Sequence, residues 1–531
     1  MKNLPIGRES FSTIRENNYL YVDKTKQIHK LINTGDLYFL SRPRRFGKSL
    51  LINTIESLYL GKKDLFKGLY VENHWDWTKT NPVVKINFST GLFKTELKLE
   101  NSLNLTIDEI ARENEIDLIS NEIPHKFREL IKAIAKKENK TVVILIDEYD
   151  KPLLNNIDNI EVLKDIQVTM RSFYSVIKDL DDYIEFLLIT GVSKFTNISL
   201  FSDLNSPTDL TFDDNFSEIC GYTHDELIHY FKEYISDLAI KLNKNEEELI
   251  NDIKYWYDGY TWDGKTKIYS PYSTLSLFHY KEFDNYWFDN STPKSLIDVL
   301  KKSDNYDEIL KPLKVKKSRF KNFDFENIDP ISFALQTGYL SISKKEIIQN
   351  QIYFTVQTPN YEVENSILDH LLKLNEEKMD INDLKPKIIE AIGNYDNETF
   401  QMYMKYFLTN IPARIHLNHE FYYQSIYIAW LNGLGFKGAG EIQTNIGQMD
   451  MYLETPEFIA IAEFKYSKLK KTKDKNKQPE PIKPFNIMIN EALSQINLKK
   501  YEDKFLNRKV IKIAIVFGGK ELKTQIEKVN P

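Results

Sequence analysis

The chain has 531 residues, too many for one compact core, so two to four domains are expected. A hydrophobic share of 42% with 28% charged residues excludes wholesale disorder, and a formal net charge of -6 excludes global attraction to nucleic acid, leaving only local basic patches for phosphate. The single cysteine, Cys220, excludes an internal disulfide; without a metal-ligand neighbour in "SEICGYTHDEL" it reads as a packing residue in a reducing compartment.

The opening segment, "MKNLPIGRESFSTIRENNYLYVDKT", lacks the apolar run of a signal peptide, and no apolar stretch reaches the roughly 18 residues of a membrane span. The expectation is a cytoplasmic, soluble protein with no membrane partner. Four short apolar runs follow: "LYFLS" at 37, "PVVKINFS" at 82, "TVVILIDE" at 141 and "YIEFLLITG" at 183. Separated by helix-like segments such as "LLINTIESLYL" and "DIQVTMRSFYSVIKDL", they predict the buried strands of a doubly wound parallel α/β sheet.

Between the first run and its helix lies "RPRRFGKSLL". A phosphate loop needs backbone N–H groups and a helix N-terminus around the phosphates, a lysine against the β and γ charge and a hydroxyl for Mg²⁺. Gly47, Lys48 and Ser49 supply these, with Arg44, Arg45, Phe46 and Leu50 as further nucleotide-binding candidates, although Arg42 stands where the first glycine of G-x-x-x-x-G-K-[ST] belongs. A lone G-K-S also fits an ordinary strand-to-helix loop. The companion is "VVILIDEYD", where an apolar run ends at Asp147 and Glu148: the first placed to hold Mg²⁺, the second to orient the attacking water. Thr190, Ser193 and Lys194 end the fourth strand, where a polar group near the γ-phosphate is required. Arg44, Arg45 and Arg171 are arginine candidates for developing charge, each with a surface ion pair as its alternative.

From about Phe216 amphipathic helices and aromatic loops take over, including "YWYDGYTWDGKTKIYSPYSTLSLF". The basic run "LKPLKVKKSRFK", from Leu310, reads as a solvated face, with nucleic-acid contact as the alternative. Past about residue 400 the order is a helix around "HEFYYQSIYIAWLNGL", strands "GEIQT", "QMDMYLET" and "EFIAIAEFKY", a Lys- and Pro-rich loop, a helix "NIMINEALSQINLKKYEDKF" and a strand "VIKIAIVFGG". Asn445-Ile446-Gly447 fits a tight turn between the first two strands. Metal-assisted phosphodiester cleavage needs carboxylates for the metal and a lysine for charge or water. Glu463 and Lys465, two apart, share one strand face, and Asp450 can reach it from the neighbouring strand. An exposed Glu/Lys pair is the alternative, but these follow the apolar run "FIAIA", where unpaired charge is costly.

The motifs "LPIGRESFSTIRENNYLYVDKT", "RPRRFGKSLLINTIESLYLGKKDLFKGLYV", "LIDEYDKPL", "LLITGVSKFTNISLFSDLNSPTDLTF" and "ICGYTHDEL", then "YDGYTW", "YSPYSTL" and "LQTGYLSI", resemble in order the AAA-ATPase-like family of bacterial proteins often joined to a PD-(D/E)xK nuclease-like domain. In that family the loop commonly reads R-P-R-R-F-G-K-S, so the resemblance makes Arg42 a family trait. It implies Asp450 and Glu463 as metal ligands, Lys465 as catalytic lysine, Glu420 as an accessory carboxylate, and Gln495 and Tyr501 as a Q-x-x-x-x-x-Y pair for backbone positioning, where capping of a packed helix is the alternative. Two departures are visible: Asp203 stands where the family usually has glycine, and Gln448 replaces the arginine of G-R-x-D.

The expected architecture is a P-loop parallel-sheet domain over 1–220, a mainly helical lid and middle region over 221–400, and a restriction-endonuclease-like α/β domain over 401–531. The expected function is ATP binding and hydrolysis coupled to cleavage of nucleic acid, with DNA favoured, in defence or mobile-element biology, with ATP and Mg²⁺ or Mn²⁺ as cofactors and a homo-oligomer allowed. The alternative is an ATP-controlled switch or assembly protein whose nuclease-like domain only binds.

Overall fold

The computed structural model describes residues 1–194, 207–287, 312–321, 328–367, 381–410, 420–436, 440–444, 447–468, 481–499, 505, 508–518 and 521–528. Tyr501, Asp203, the Asn445-Ile446 turn and most of the Lys- and Pro-rich loop lie outside the described residues. The chain divides into two compact units, Met1–Val363 and Glu364–Pro531, so residues 221–363 of the middle region belong to the first.

In the first unit β1 (Leu37–Ser41), β2 (Val83–Asn87), β3 (Val142–Asp147), β4 (Ile184–Gly191) and β5 (Thr208–Asp209) form a parallel sheet in the order β2-β3-β4-β1-β5. The central strands β1, β3 and β4 are buried on both faces, which is why they read as continuous apolar runs, while the edge strand β2 alternates. Tyr38, Leu40, Val143, Leu145, Phe186 and Leu188 pack with Leu51, Ile52, Ile55 and Leu58 of the helix Lys48–Tyr59. The intervening Phe39, Ile144, Ile146, Leu187 and Ile189 are equally buried and face the other way. Cys220 is buried in the first of these layers, where burial pushes its thiol pKa up.

The rest of this unit is mainly helical, with helices His224–Tyr230, Lys232–Leu242, Glu246–Tyr257, Pro271–Tyr280 and Pro330–Thr337. It also holds an antiparallel sheet not anticipated from sequence: β6 (Leu313–Lys316), β7 (Ser341–Ile348) and β8 (Gln351–Gln357), in the order β6-β8-β7. Gln349 and Asn350 turn the β7–β8 hairpin with φ of 48° and 59°, the left-handed pair that a tight two-residue hairpin needs. The basic run enters β6 and the turn after it, and two of its cations are paired: Lys314 with Glu346 at 2.8 Å, and Arg319, beyond the strand, with Asp329 through two bonds of 2.7 and 2.9 Å.

The second unit has the helices Ile381–Gly393, Asn397–Asn410, Glu420–Gly433 and Phe485–Leu498, and a five-stranded mixed sheet. Its strands β9 (Gly440–Thr444), β10 (Gly447–Glu454), β11 (Ile459–Tyr466), β12 (Val510–Gly518) and β13 (Glu521–Lys528) run in the order β13-β12-β11-β10-β9. The pair β11–β12 is parallel and the others are antiparallel. The strand β13 was not anticipated: "ELKTQIEK" alternates buried and exposed positions as an edge strand does, with charged residues on the outer face. Among the described residues, no helix is long and apolar enough to cross a membrane.

Candidate nucleotide and nuclease sites

The loop between β1 and the helix Lys48–Tyr59 bends through two left-handed residues, Arg45 at φ 64° and Gly47 at φ 91°. Gly47 caps the helix, and a Cβ there would meet no neighbour, so glycine is required by its torsion rather than by crowding. Arg42 does not face the loop's interior. Its guanidinium is fully buried, donating to the carbonyl oxygens of Ser41 at 2.8 Å, Thr211 at 3.1 Å and Phe216 at 3.1 Å, and it stacks over Trp262 at 4.2 Å. Burial pulls its pKa down to about 10, leaving it charged. The residue replacing the first glycine is therefore a strut under the loop.

Phe46 also turns downward, edge-on to Tyr260 at 4.7 Å and Trp262 at 5.6 Å. Trp287 donates its indole N–H to the Arg44 carbonyl at 2.9 Å. The lysine Nζ of Lys48 caps the loop's own carbonyls, Arg42 O at 3.0 Å and Pro43 O at 2.9 Å. Above the loop is a cavity of about 310 Å³, within the range of small-ligand sites. The loop contributes Arg44, Arg45, Gly47, Lys48, Ser49 and Leu50 to it, and Glu148 and Lys151 enter from the end of β3. The excess of arginine and lysine favours an anionic ligand.

The strand end is held as tightly. Thr190 Oγ1 donates to Asp147 Oδ1 at 2.6 Å, and the same oxygen accepts the Glu148 N–H at 3.0 Å. Glu148 sits at φ 52°, a strained conformation for a non-glycine residue, with its carboxylate 3.5 Å from Lys151 Nζ. Asp150 gathers three bonds on Oδ2, from the N–H of Val192 at 3.0 Å, the N–H of Ser193 at 2.7 Å and Ser193 Oγ at 2.7 Å. Ser193, expected near the γ-phosphate, thus spends its hydroxyl on locking the ends of β3 and β4 together. Lys194 Nζ pairs with Asp209 at 2.5 Å. Arg171 is exposed on the helix Ile160–Ser175 and does not line the cavity.

The cavity has walls that sequence reasoning did not assign: Pro5, Gly7, Arg8 and Glu9 on one side, and Tyr222, Pro271, Tyr272 and Leu275 on another. Arg45 lies over the Tyr272 ring at 5.3 Å. Burial, then the charges of Asp147 and Glu148, raises the Glu9 pKa, with Arg45 and Lys48 opposing, which places Glu9 in the same field as the strand-end acids. The only signal for these walls was their presence in the quoted motifs "LPIGRES", "CGYTH" and "YSPYSTL".

In the second unit β10 and β11 bring Asp450 and Glu463 together: Asp450 Oδ2 accepts the N–H of Phe464 at 2.8 Å. Glu463 is 0% exposed; its Oε1 accepts from Lys465 Nζ at 3.0 Å, while its Oε2 is buried with no hydrogen-bond partner. Burial, then the charge of Asp450, pushes the Glu463 pKa up to about 7 against the pull of Lys465. Glu420 joins from its helix: Oε2 accepts the Tyr466 N–H at 3.0 Å and Oε1 lies 3.6 Å from Lys465 Nζ. Burial works against the Lys465 ammonium, but Glu463 and Glu420 outweigh it and hold its pKa above the ordinary lysine value. Lys465 is therefore a fixed cation here. Gln424, from the Glu420 helix, donates to the Asp450 carbonyl at 3.2 Å.

Gln495 is half-buried and lines a shallow groove with Ile487, Asn490, Glu491, Ser494, Leu498 and Lys499, none of them in the carboxylate cluster. Among the described residues, no three acidic, histidine or cysteine side chains form a metal cage. A divalent cation at either site would draw its remaining ligands from phosphate, carbonyl and water. The orphaned Glu463 Oε2 beside Asp450 fits such a cation, since a buried carboxylate without a partner is otherwise costly.

A parallel sheet with a phosphate loop at one strand end, and a mixed sheet carrying Asp, Glu-x-Lys and an accessory Glu, define an ATPase-like protein with a nuclease-like second unit. Family models agree: residues 5–201 match the predicted AAA-ATPase family and residues 418–527 the PD-(D/E)XK nuclease superfamily. An uncharacterized protein in the vnfD 5' region of Azotobacter chroococcum mcd 1 is 33% identical over 516 residues, 96% of this chain and 94% of that one. The chain belongs to the AAA-ATPase-like family with a C-terminal PD-(D/E)XK nuclease superfamily domain.

Proposed function

We propose that this protein binds and hydrolyses ATP at the phosphate loop, and that the nucleotide controls metal-dependent cleavage of phosphodiester bonds, in DNA, at the carboxylate–lysine site. The observation that carries the nuclease reading is Glu463: fully buried, one oxygen unpartnered, the other 3.0 Å from Lys465 Nζ, with Asp450 on the next strand. A fold that buries such a group without a cation to receive it loses stability for nothing.

In this reading the Gly47 turn, Lys48, Arg44 and Arg45 hold the phosphates, and Ser49 and Asp147 hold the ATP-bound cation, Asp147 being aimed by Thr190. Glu148 orients the attacking water from its strained position beyond the strand. In the second unit Asp450 and Glu463 hold Mg²⁺ or Mn²⁺, Lys465 stabilises charge on the cleaved phosphate, and Glu420 keeps Lys465 charged and placed. A divalent cation, when bound, supplies charge neutralisation and a more acidic water. A role in defence or mobile-element biology suits this pairing of domains by analogy, and an assembly in which an arginine crosses a subunit boundary would complete the ATPase site.

A second reading has one observation in its favour: Asp450 Oδ2 is already committed to the Phe464 N–H, as in a nuclease-like fold kept as a non-catalytic binding module under an ATP-controlled switch. Plasmid DNA, linear DNA and RNA incubated with Mg²⁺ or Mn²⁺ separate the two. Metal-dependent cleavage by the wild type and not by Lys465→Ala supports the nuclease. No cleavage of any of the three by the wild type leaves only the switch.

A further inference from the structure

The phosphate loop is held from below by a residue 243 positions from Arg44. Trp287, whose indole N–H donates to Arg44 O at 2.9 Å, donates its backbone N–H to Glu362 Oε1 at 2.6 Å. The other carboxylate oxygen, Glu362 Oε2, accepts from Ser273 Oγ at 2.7 Å. Ser273 lies on the helix Pro271–Tyr280, next to Tyr272, which lines the cavity and sits under Arg45. One fully buried carboxylate thus binds both the floor of the loop and the helix that forms the opposite cavity wall.

Packing reinforces the arrangement. Gly338, at φ 92°, leaves room for Pro43 of the loop: a Cβ there would stand 2.6 Å from Pro43 Cγ and 3.2 Å from the Trp287 ring. Trp287 also packs against Tyr339 at 5.3 Å and Tyr260 at 6.1 Å. A buried carboxylate that accepts from donors on two different elements ties them together directionally, because each such bond costs more to lose in the interior than in water.

We propose that Glu362 is a positioning residue for the nucleotide site: acting through Trp287 and Ser273, it fixes the width of the cavity between the Arg44–Arg45 turn and the Tyr272 wall. Glu362 touches no ligand itself. The proposal rests on the reading of this cavity as a nucleotide site.

The test measures Kd for ATP by titration calorimetry, and KM and kcat for ATP hydrolysis, in the full chain and three variants. Trp287→Phe keeps the ring and removes the N–H to Arg44; Ser273→Ala removes one hydroxyl; Glu362→Gln keeps the shape and removes the charge. For Trp287→Phe and Ser273→Ala the expected result is a rise of roughly three- to tenfold in Kd and KM, the loss of about one buried hydrogen bond, with kcat preserved. Glu362→Gln should show the same direction; if it does not fold, the other two carry the test. A merely structural role would lower the melting temperature and leave Kd unchanged well below it, and that result overturns the proposal. Wild-type protein that binds no ATP would remove the nucleotide reading itself, a distinct outcome from variants that bind ATP as the wild type does.

Discussion

Thr190 Oγ1 donates to Asp147 Oδ1 at 2.6 Å, across neighbouring strands and with both side chains buried. In the function proposed above, this bond orients the strand-end carboxylate for the nucleotide-bound cation. Thr190→Val keeps the shape and deletes the donor, leaving Asp147 with the Glu148 N–H on that oxygen. Loss of one such bond predicts a fall of roughly tenfold in kcat for ATP hydrolysis, with cation-free ATP binding nearly unchanged, measured by steady-state phosphate release and by titration in EDTA.

Arg42 occupies the position of a consensus glycine, and restoring that glycine should damage the protein. Arg42→Gly would strip the side-chain donor from the Thr211 carbonyl, leave the Phe216 carbonyl to the Ile219 N–H at 3.3 Å, and open a void beside Trp262. An unpaired buried acceptor costs about 1–3 kcal/mol and the void adds to it, so the first unit should lose about 3 kcal/mol or more in a denaturant melt. Arg42→Lys should recover little of this, because an ammonium cannot reproduce the planar fork.

The raised pKa of Glu463 gives a pH signature. Because its folded-state value of about 7 lies above that of an unfolded glutamate, the folded chain holds the extra proton. The stability this supplies is complete below the unfolded value of roughly 4.3 and is lost as pH rises through the folded value. In EDTA the second unit should therefore melt at lower temperature at pH 8 than at pH 5, and Glu463→Gln should flatten that slope. Mn²⁺ competes with the same proton, so it should raise the melting temperature more at pH 8 than at pH 5.

Much of this was legible in the sequence for physical reasons. Strands buried on both faces of a parallel sheet must be continuously apolar, which marked β1, β3 and β4; Asp147 stood out as the companion of the loop motif, and Glu463 because unpaired charge after the apolar run "FIAIA" is costly. The resemblance to a known family supplied Glu420, whose carboxylate meets Lys465 across an interval no local pattern spans. The rest was hidden because it depends on tertiary pairing. The strands β6 to β8 carry lysines that look solvated until Glu346 and Asp214 are seen against Lys314 and Lys345. Edge strand β13 buries only alternate side chains. Arg42 showed in the sequence only as a residue in place of a loop glycine, and its role needs Thr211, Phe216 and Trp262 placed around it, and the Glu9, Tyr222 and Tyr272 walls come from segments up to 263 residues apart.

In the proposed function the nucleotide held by Lys48 governs cleavage at Lys465. The most direct test is cleavage of plasmid DNA with Mg²⁺, with and without ATP, by the wild type, Lys48→Ala and Lys465→Ala. The expected result is ATP-dependent cleavage by the wild type, loss of the ATP response in Lys48→Ala, and no cleavage by Lys465→Ala under any condition. Cleavage by Lys48→Ala that matches the wild type with ATP present would contradict it.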